Sequence, residues 1–141
     1  MQRLRDWAGD PRGAAVIEFA ILTPVFLLML TGMLAYGIYF GAAHAVQQLA
    51  ADAVRVAIAG VTAEEGQELI EDYLRHHAGA YMLLDPTRLS HSVEAPQGQS
   101  SQYVVRLSYD AADLPIWNLY PPLPLPGRQI VFGATIRRGG L

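Results

Sequence analysis

One carboxylate lies at the start of a long apolar stretch, where its presence has to be accounted for. Glu18 directly follows the apolar residues 14–17, and the 25 residues of the range 19–43 contain no Asp, Glu, Lys or Arg. A carboxylate in apolar surroundings costs several kcal/mol unless it is paired or neutralised, so Glu18 requires a cation nearby. Within the chain only Arg12 is close enough to provide one. In the alternative interpretation, Glu18 lies in the headgroup region at a membrane edge and needs no partner.

The other residues that could carry chemistry have unsuitable spacing for it. His76 and His77 are adjacent, so on a helix they point about 100° apart and cannot share a metal as histidines four residues apart can. Ser90, His91 and Ser92 follow one another in a predicted strand without a nucleophile-elbow motif. The chain has no cysteine, which excludes a thiolate nucleophile and a cysteine zinc site. We therefore expect no catalytic residue, no metal site and no cofactor.

The composition favours a small membrane protein. The 141 residues suffice for one domain of the usual size, about 100 to 150 residues. Hydrophobic residues make up 52% of the chain and charged residues only 16%, against a usual charged share of about 25%. The net charge is −3 and the arginines form no basic run, so we expect no nucleic-acid partner.

The apolar stretch predicts a single transmembrane helix. A helix over residues 19–43 would be about 37 Å long, which exceeds the roughly 30 Å of bilayer hydrocarbon. Three arginines precede it within residues 1–13, whereas the 17 residues that follow it contain only Arg55. This asymmetry predicts that residues 1–13 stay in the cytoplasm and that the C-terminal part crosses the membrane.

A period of 3.6 residues continues beyond the apolar stretch as far as Ile58 and predicts one long helix over residues 14–60. Thr62 followed by Glu65 is a capping box, which predicts that a second helix begins there. Gly37 and Gly41 form a GxxxG pattern that permits close helix packing, although glycines placed by chance explain it equally well.

After residue 86 the apolar period changes to two, which predicts an antiparallel sheet. Strands are predicted over residues 89–95, 102–109 and 129–137, with a turn over residues 96–101. Residues 114–127 contain five of the nine prolines, so they cannot form a ladder strand and are predicted to cross as extended chain. The expected fold is α+β: a long N-terminal transmembrane helix continues into a small extracytoplasmic domain, residues 61–141, which contains the second helix and the sheet.

The start of the chain resembles a processing site. Residues 12–20, RGAAVIEFA, and residues 22–28, LTPVFLL, are similar to the leader junction of class III prepilins, specifically the TadE-like pseudopilins of the tight-adherence (Flp) pilus. By this resemblance Gly13 is the last leader residue and Ala14 the first mature residue. Glu18 and Phe19 are then the fifth and sixth mature residues, which take part in subunit assembly. The resemblance is specific over the first 60 residues and rests on pattern alone further on.

The resemblance implies a non-enzymatic pseudopilin or minor pilin in the bacterial inner membrane, with a periplasmic C-terminal domain and a place in the pilus. Its partners would be a prepilin peptidase, other pilins and pseudopilins, the inner-membrane assembly platform and the membrane itself. Cleavage after Gly13 would also create the missing cation, because the new amine of Ala14 could pair with Glu18 of a neighbouring subunit. The resemblance is compatible with an initiating tip subunit, a minor component of the pilus and an accessory factor.

A competing hypothesis takes residues 1–45 as an ordinary secretory signal. Ala43-His44-Ala45 fits the small-residue rule for signal cleavage, which would release a soluble periplasmic binding domain from Val46. The apolar stretch of 25 residues is, however, longer than the usual signal-peptide core of about 7 to 15 residues. A small membrane-anchored enzyme is a third hypothesis, and it lacks convergent catalytic residues.

Overall fold

The computed structural model describes residues 11–96, 101–119 and 124–137. A long helix, α1, is followed by a short helix, α2, and a three-stranded sheet, which confirms the predicted α+β fold. The elements are α1 (Pro11–Val56), α2 (Ala63–His77), β1 (Leu89–Glu94), β2 (Gln102–Asp110) and β3 (Gln129–Arg137). The predicted leader lies outside the described residues over its first ten positions, as do residues 97–100 of the predicted turn.

The first half of α1 is exposed along its whole circumference. No side chain in residues 13–34 is buried, and Phe19 and Met33 are each about 70% exposed, at 73% and 69%. The helix runs through Pro24 without ending. The Thr23 hydroxyl donates to the Phe19 carbonyl at 2.6 Å, one turn back, as hydroxyls in apolar helices commonly do. Among the described residues, one helix is long and apolar enough to cross a membrane, and it covers Gly13–Ala59. Its most apolar stretch has no buried residue.

The second half of α1 is the central element of the domain core. A stripe with helical spacing, Ala35, Ala42, Val46, Leu49 and Ala53, is completely buried against the rest of the domain. Its alanines allow close approach, since β3, β2 and α2 all pack directly on this helix. The predicted stripe is wrong at Ile58, which is 63% exposed. There the helix tightens into a 3₁₀ turn, Ala57–Ala59, whose three residues per turn move the side chain off the buried face.

The capping box predicted for α2 is confirmed. The Thr62 hydroxyl accepts a hydrogen bond from the Glu65 backbone N–H at 3.1 Å, and the Glu65 carboxylate accepts one from the Val61 N–H at 2.7 Å. The first bond satisfies a donor of the first helical turn that has no partner within the helix, and the second binds the residue before the N-cap in place of the N-cap N–H of a standard capping box. The buried face of α2 consists of Gly66, Ile70 and Leu74, while its acidic residues lie toward solvent.

The sheet is antiparallel throughout, with β2 in the centre between β1 and β3. The face of β2 predicted to be apolar is buried: Tyr103, Val105, Leu107 and Tyr109 are each at most 3% exposed. Tyr103 at one end of β2 donates toward the Thr62 carbonyl at the start of α2, at 3.3 Å. The Tyr109 hydroxyl at the other end contacts the Leu83 carbonyl at 3.3 Å. Leu83 lies beside Gly41 of α1, since a side chain at Gly41 would come within 2.8 Å of the Leu83 Cδ1 atom. Strand β2 therefore runs from the α1–α2 connection toward the exposed half of α1.

The proline-rich segment closes the end of the domain nearest the exposed half of α1. Its described residues form no ladder strand, as predicted, but residues 115–118 form a turn, so the prediction of extended chain is wrong there. The Ile116 N–H donates to the Leu114 carbonyl at 2.7 Å at the start of this turn. Leu114 and Ile116 are buried in the core, and the Trp117 indole N–H donates to the Ala111 carbonyl at 2.6 Å. Further along, the Tyr36 hydroxyl of α1 donates to the Pro124 carbonyl. The segment thus contributes to the domain core and also contacts α1.

Candidate functional site

The predicted cleavage residues lie in the first turn of α1. The helix begins at Pro11, three residues before the predicted start at Ala14, so Gly13 and Ala14 are helical. Both are exposed, and a side chain at Gly13 would meet nothing within 4 Å. Glycine costs about 1 kcal/mol in a helix relative to alanine, so the helix is locally weakened at Gly13.

Glu18 lies one helical turn beyond Ala14, on the same face of α1. Four residues correspond to about 6 Å along the axis. Glu18 and Phe19 are both exposed, and each is surrounded by exposed apolar side chains such as Ile17 and Ile21. No ion pair of Glu18 occurs among the described side chains, and the Arg12 side chain lies outside them. The site therefore presents one carboxylate on an apolar helix surface.

The two glycines of the GxxxG pattern have different surroundings. A side chain at Gly41 would come within 2.8 Å of the Leu83 Cδ1 atom, so Gly41 makes room for a residue of the chain's own domain. A side chain at Gly37 would meet nothing within 4 Å. Of the pair, Gly37 is the residue that remains open to a second helix.

The histidines and serines considered above make contacts within their own helix or sheet. His76 contacts the Asp72 carboxylate at 3.2 Å, and the His77 ring stacks on Tyr73 with ring centroids 4.2 Å apart. The Ser90 hydroxyl donates to the Ser108 carbonyl across the sheet at 3.2 Å. Within residues 11–96, 101–119 and 124–137, no group of three or more His, Cys, Asp or Glu side chains could hold a metal ion.

A polar cluster between α1, α2 and the following turn was not predicted. Partial burial raises the pKa of the Tyr81 hydroxyl, and the neighbouring Tyr73 and Asp52 side chains raise it further. Asp52 also binds Arg55 at 2.8 Å. The members come from positions up to 29 residues apart without a motif, so no sequence pattern could have identified the cluster. It joins three elements of the domain and lies far from Glu18 along α1.

A helix that is exposed and apolar in its first half and covered by an α+β domain in its second half defines a pilin-like protein. Residues 13–55 match the family model of the TadE-like proteins, so this part of the chain is similar to that family. The matched range starts at Gly13 and ends one residue before the end of α1, so it covers the helix and leaves out the α+β domain. The TadE-like proteins are a family of pilus components. No curated protein and no solved structure shows a significant match to the chain.

Proposed function

We propose that the chain is a subunit of the tight-adherence pilus that is cleaved after Gly13 and assembles through Glu18. The observation that carries this proposal is the isolation of Glu18: it is the only Asp, Glu, Lys or Arg between Arg12 and Asp52, and it lies on an exposed apolar helix. An apolar helix meant only as an anchor gains nothing from such a carboxylate, because placing it in lipid is costly.

Cleavage would provide the partner that Glu18 lacks. The new ammonium of Ala14 would lie about 6 Å from the level of Glu18 along the helix axis. A neighbouring subunit shifted by about one turn would bring its ammonium level with this carboxylate. Paired charges in a medium of low dielectric recover much of the cost of leaving water, and the pairing would set the axial register between subunits.

The helix that remains after cleavage is still long enough to span a bilayer. Residues 14–34 carry no buried side chain and form about 32 Å of helix, close to the roughly 30 Å of bilayer hydrocarbon. The arginines of the leader favour a cytoplasmic N-terminus, which leaves the α+β domain in the periplasm. We infer that the peptidase, other pilins and the inner-membrane assembly platform are its partners.

The secretory-signal hypothesis conflicts with the packing of α1. The helix is continuous across Ala45 and Val46, the proposed signal cleavage site. Cleavage there would remove Ala35 and Ala42, both fully buried, together with the hydrogen bond from Tyr36. A domain starting at Val46 would therefore lose part of its own core.

Two substitutions separate processing from assembly. Gly13→Val should block cleavage, because a branched side chain hinders the backbone from entering a peptidase site in extended form. Glu18→Gln should leave cleavage intact and abolish incorporation, since it leaves the Ala14 ammonium without its counter-ion. Removing one partner of a buried pair costs about 3 to 5 kcal/mol, which corresponds to roughly a hundredfold or more in association.

Both variants are expressed in the native host, and each is followed by the intact mass of the membrane form and by recovery in sheared pili. Glu68→Gln, which removes an exposed carboxylate from α2, is the matched control and should behave as wild type. Normal recovery of Glu18→Gln in pili would refute the ion-pair mechanism. A mature chain starting at Val46 would instead establish the secretory hypothesis.

A further inference from the structure

The position along α1 at which the domain first contacts this helix can be compared with the position of the membrane surface along the same helix. Ala35 is fully buried, and Tyr36 donates to the Pro124 carbonyl, so the contact begins at residues 35–36. A hydrocarbon layer of about 30 Å takes up about 20 helical residues. If the layer starts at Phe19, directly after Glu18, its outer boundary falls near residue 38, which is beyond the contact.

The alternative placement gives a similar depth. If the layer starts at Ala14, its outer boundary falls near residue 33, and Tyr36 lies about 5 Å outside it. The headgroup layer on each side is about 5 to 7 Å thick, because the whole bilayer measures about 40 to 45 Å. In both placements the contact between Tyr36 and Pro124 lies at the level where hydrocarbon meets headgroups.

The composition of the segment that contains Pro124 is suited to that environment. Between Asp113 and Arg128 the chain has no charged residue, and five of its residues are prolines, which have no N–H donor to leave unpaired. Pro124 is exposed, and Leu119 and Leu125 are half-buried. Non-helical backbone near lipid is costly mainly through unsatisfied N–H and C=O groups, so a proline-rich segment lowers that cost.

Aromatic side chains of α1 lie beside this segment. Phe40 is 54% exposed, and its ring lies 5.9 Å from the Tyr36 ring and 6.0 Å from the Tyr39 ring. Tyrosine and tryptophan are enriched where a membrane protein passes through the headgroups, because their rings are apolar and carry a polar tip. The cluster follows the fully exposed half of the helix, which ends at Met33 and Leu34.

We propose that Pro124 and Leu125, together with Tyr36 and Phe40, form a surface that rests in the lipid headgroup layer. This surface, the interfacial surface, is continuous with the exposed apolar half of α1, so the lipid that surrounds that half extends to it. The proposal rests on the membrane-spanning role of α1 proposed above. The bilayer then contacts the α+β domain directly and holds it in one orientation relative to the membrane.

The absence of cysteine from the chain allows a direct test with single labels. Pro124→Cys, Leu27→Cys and Val61→Cys are each labelled with an environment-sensitive fluorophore in the full chain, reconstituted at low density in phosphatidylcholine–phosphatidylglycerol vesicles. Pro124→Cys keeps the carbonyl that accepts from Tyr36. Val61, 78% exposed, follows the far end of α1, about 30 Å further along the helix, and serves as the matched exposed control.

The label at position 124 should be blue-shifted and quenched by headgroup nitroxide lipids more strongly than by aqueous iodide. The label at position 61 should show the reverse order, and the label at position 27 should be quenched by nitroxides deep in the acyl chains. If position 27 is quenched by deep nitroxides but position 124 responds only to iodide, the interfacial surface is refuted while the membrane span stands. If position 27 responds only to iodide, the span and this inference both fail.

One further outcome would overturn the proposal, and another would require a second variant. A blue shift at position 124 that grows with protein density would assign the surface to a second copy of the chain and would overturn the proposal. If Pro124→Cys lowers the helical circular dichroism of the protein, Leu125→Cys at the neighbouring position replaces it, with the same expected order of quenching.

Discussion

Gly66 shows how a single residue positions one element against another. A side chain at Gly66 would lie 2.6 Å from the Tyr103 Cζ atom, and Tyr103 is only 1% exposed. The same tyrosine hydroxyl donates toward the Thr62 and Ala63 carbonyls. The missing side chain thus allows the central strand to reach the first turn of α2.

Gly66→Ala should therefore lower the free energy of unfolding by about 1 to 3 kcal/mol, the usual effect of overpacking a core. Gly41→Ala should cost less, because the atom in its way is the flexible end of Leu83. Gly37→Ala has open space and should be neutral or stabilising by up to about 1 kcal/mol, as expected from helix propensity. Urea unfolding of the full chain in detergent, followed by near-UV circular dichroism, measures the series. Equal effects at Gly66 and Gly37 would contradict this account of the packing.

At the scale of elements, α2 depends on its cap because its own composition is mostly polar. Thr62→Ala removes the acceptor of the Glu65 N–H and should lower stability by about 1 kcal/mol. Thr62→Ser keeps the hydroxyl and should stay within a few tenths of a kcal/mol of wild type. Thermal unfolding of both variants under identical conditions provides the comparison. A loss as large for serine as for alanine would show that the methyl group, and not the cap, matters.

The Asp85 carboxylate in the turn between α2 and β1 makes the stability of the domain depend on pH. Hydrogen bonds from the Thr87 hydroxyl at 2.7 Å and the Thr87 N–H at 2.9 Å lower the pKa of the Asp85 carboxyl below its ordinary 3.8. The carboxylate therefore contributes stability that is complete above the ordinary value and disappears as the pH falls through the lower folded value.

Asp85→Asn keeps an oxygen acceptor but cannot titrate. Relative to this variant, the wild type should be more stable at pH 5, and the difference should shrink as the pH is lowered below about 3.8, the ordinary value. Melting temperatures of the two proteins between pH 5 and pH 2 test this. A difference that stays constant over this range would show that the charge of Asp85 does not contribute.

At the scale of the whole molecule, α1 has an exposed apolar first half and a second half that forms part of the domain core. A fragment starting at Ala35 keeps every buried residue of α1, whereas a fragment starting at Val46 loses Ala35, Ala42 and Ala43. The shorter fragment should be less stable by more than the roughly 1 kcal/mol of the lost Tyr36 hydrogen bond, because packing is lost as well. Both lack the exposed apolar half, so chemical unfolding in aqueous buffer compares them directly. Equal stability would mean that residues 35–45 contribute nothing to the core.

The elements and most of their faces could be predicted from local patterns. The period of 3.6 residues in α1, the capping box at Thr62 and the alternation along β2 each depend on neighbours within a few positions. The structure confirms them, with strand ends displaced by at most one residue and with Ile58 as the exception. The resemblance around Gly13 and Glu18 also lies within one short stretch, and the family match begins at Gly13.

The sequence by itself therefore determined the long apolar helix, the α+β class, most of the buried faces and the similarity of residues 13–55 to a pilus family, because each depends on residues close together in the chain. Only the tertiary structure decided how far down α1 the domain reaches, that Gly41 faces Leu83 while Gly37 stays open, and that Tyr81 joins Asp52 and Tyr73. Tyr36 and Pro124 lie 88 positions apart, and nothing in the pattern around either residue specifies the other. Such contacts arise when the sheet docks on the helix, since the height at which the two meet depends on packing along the whole interface.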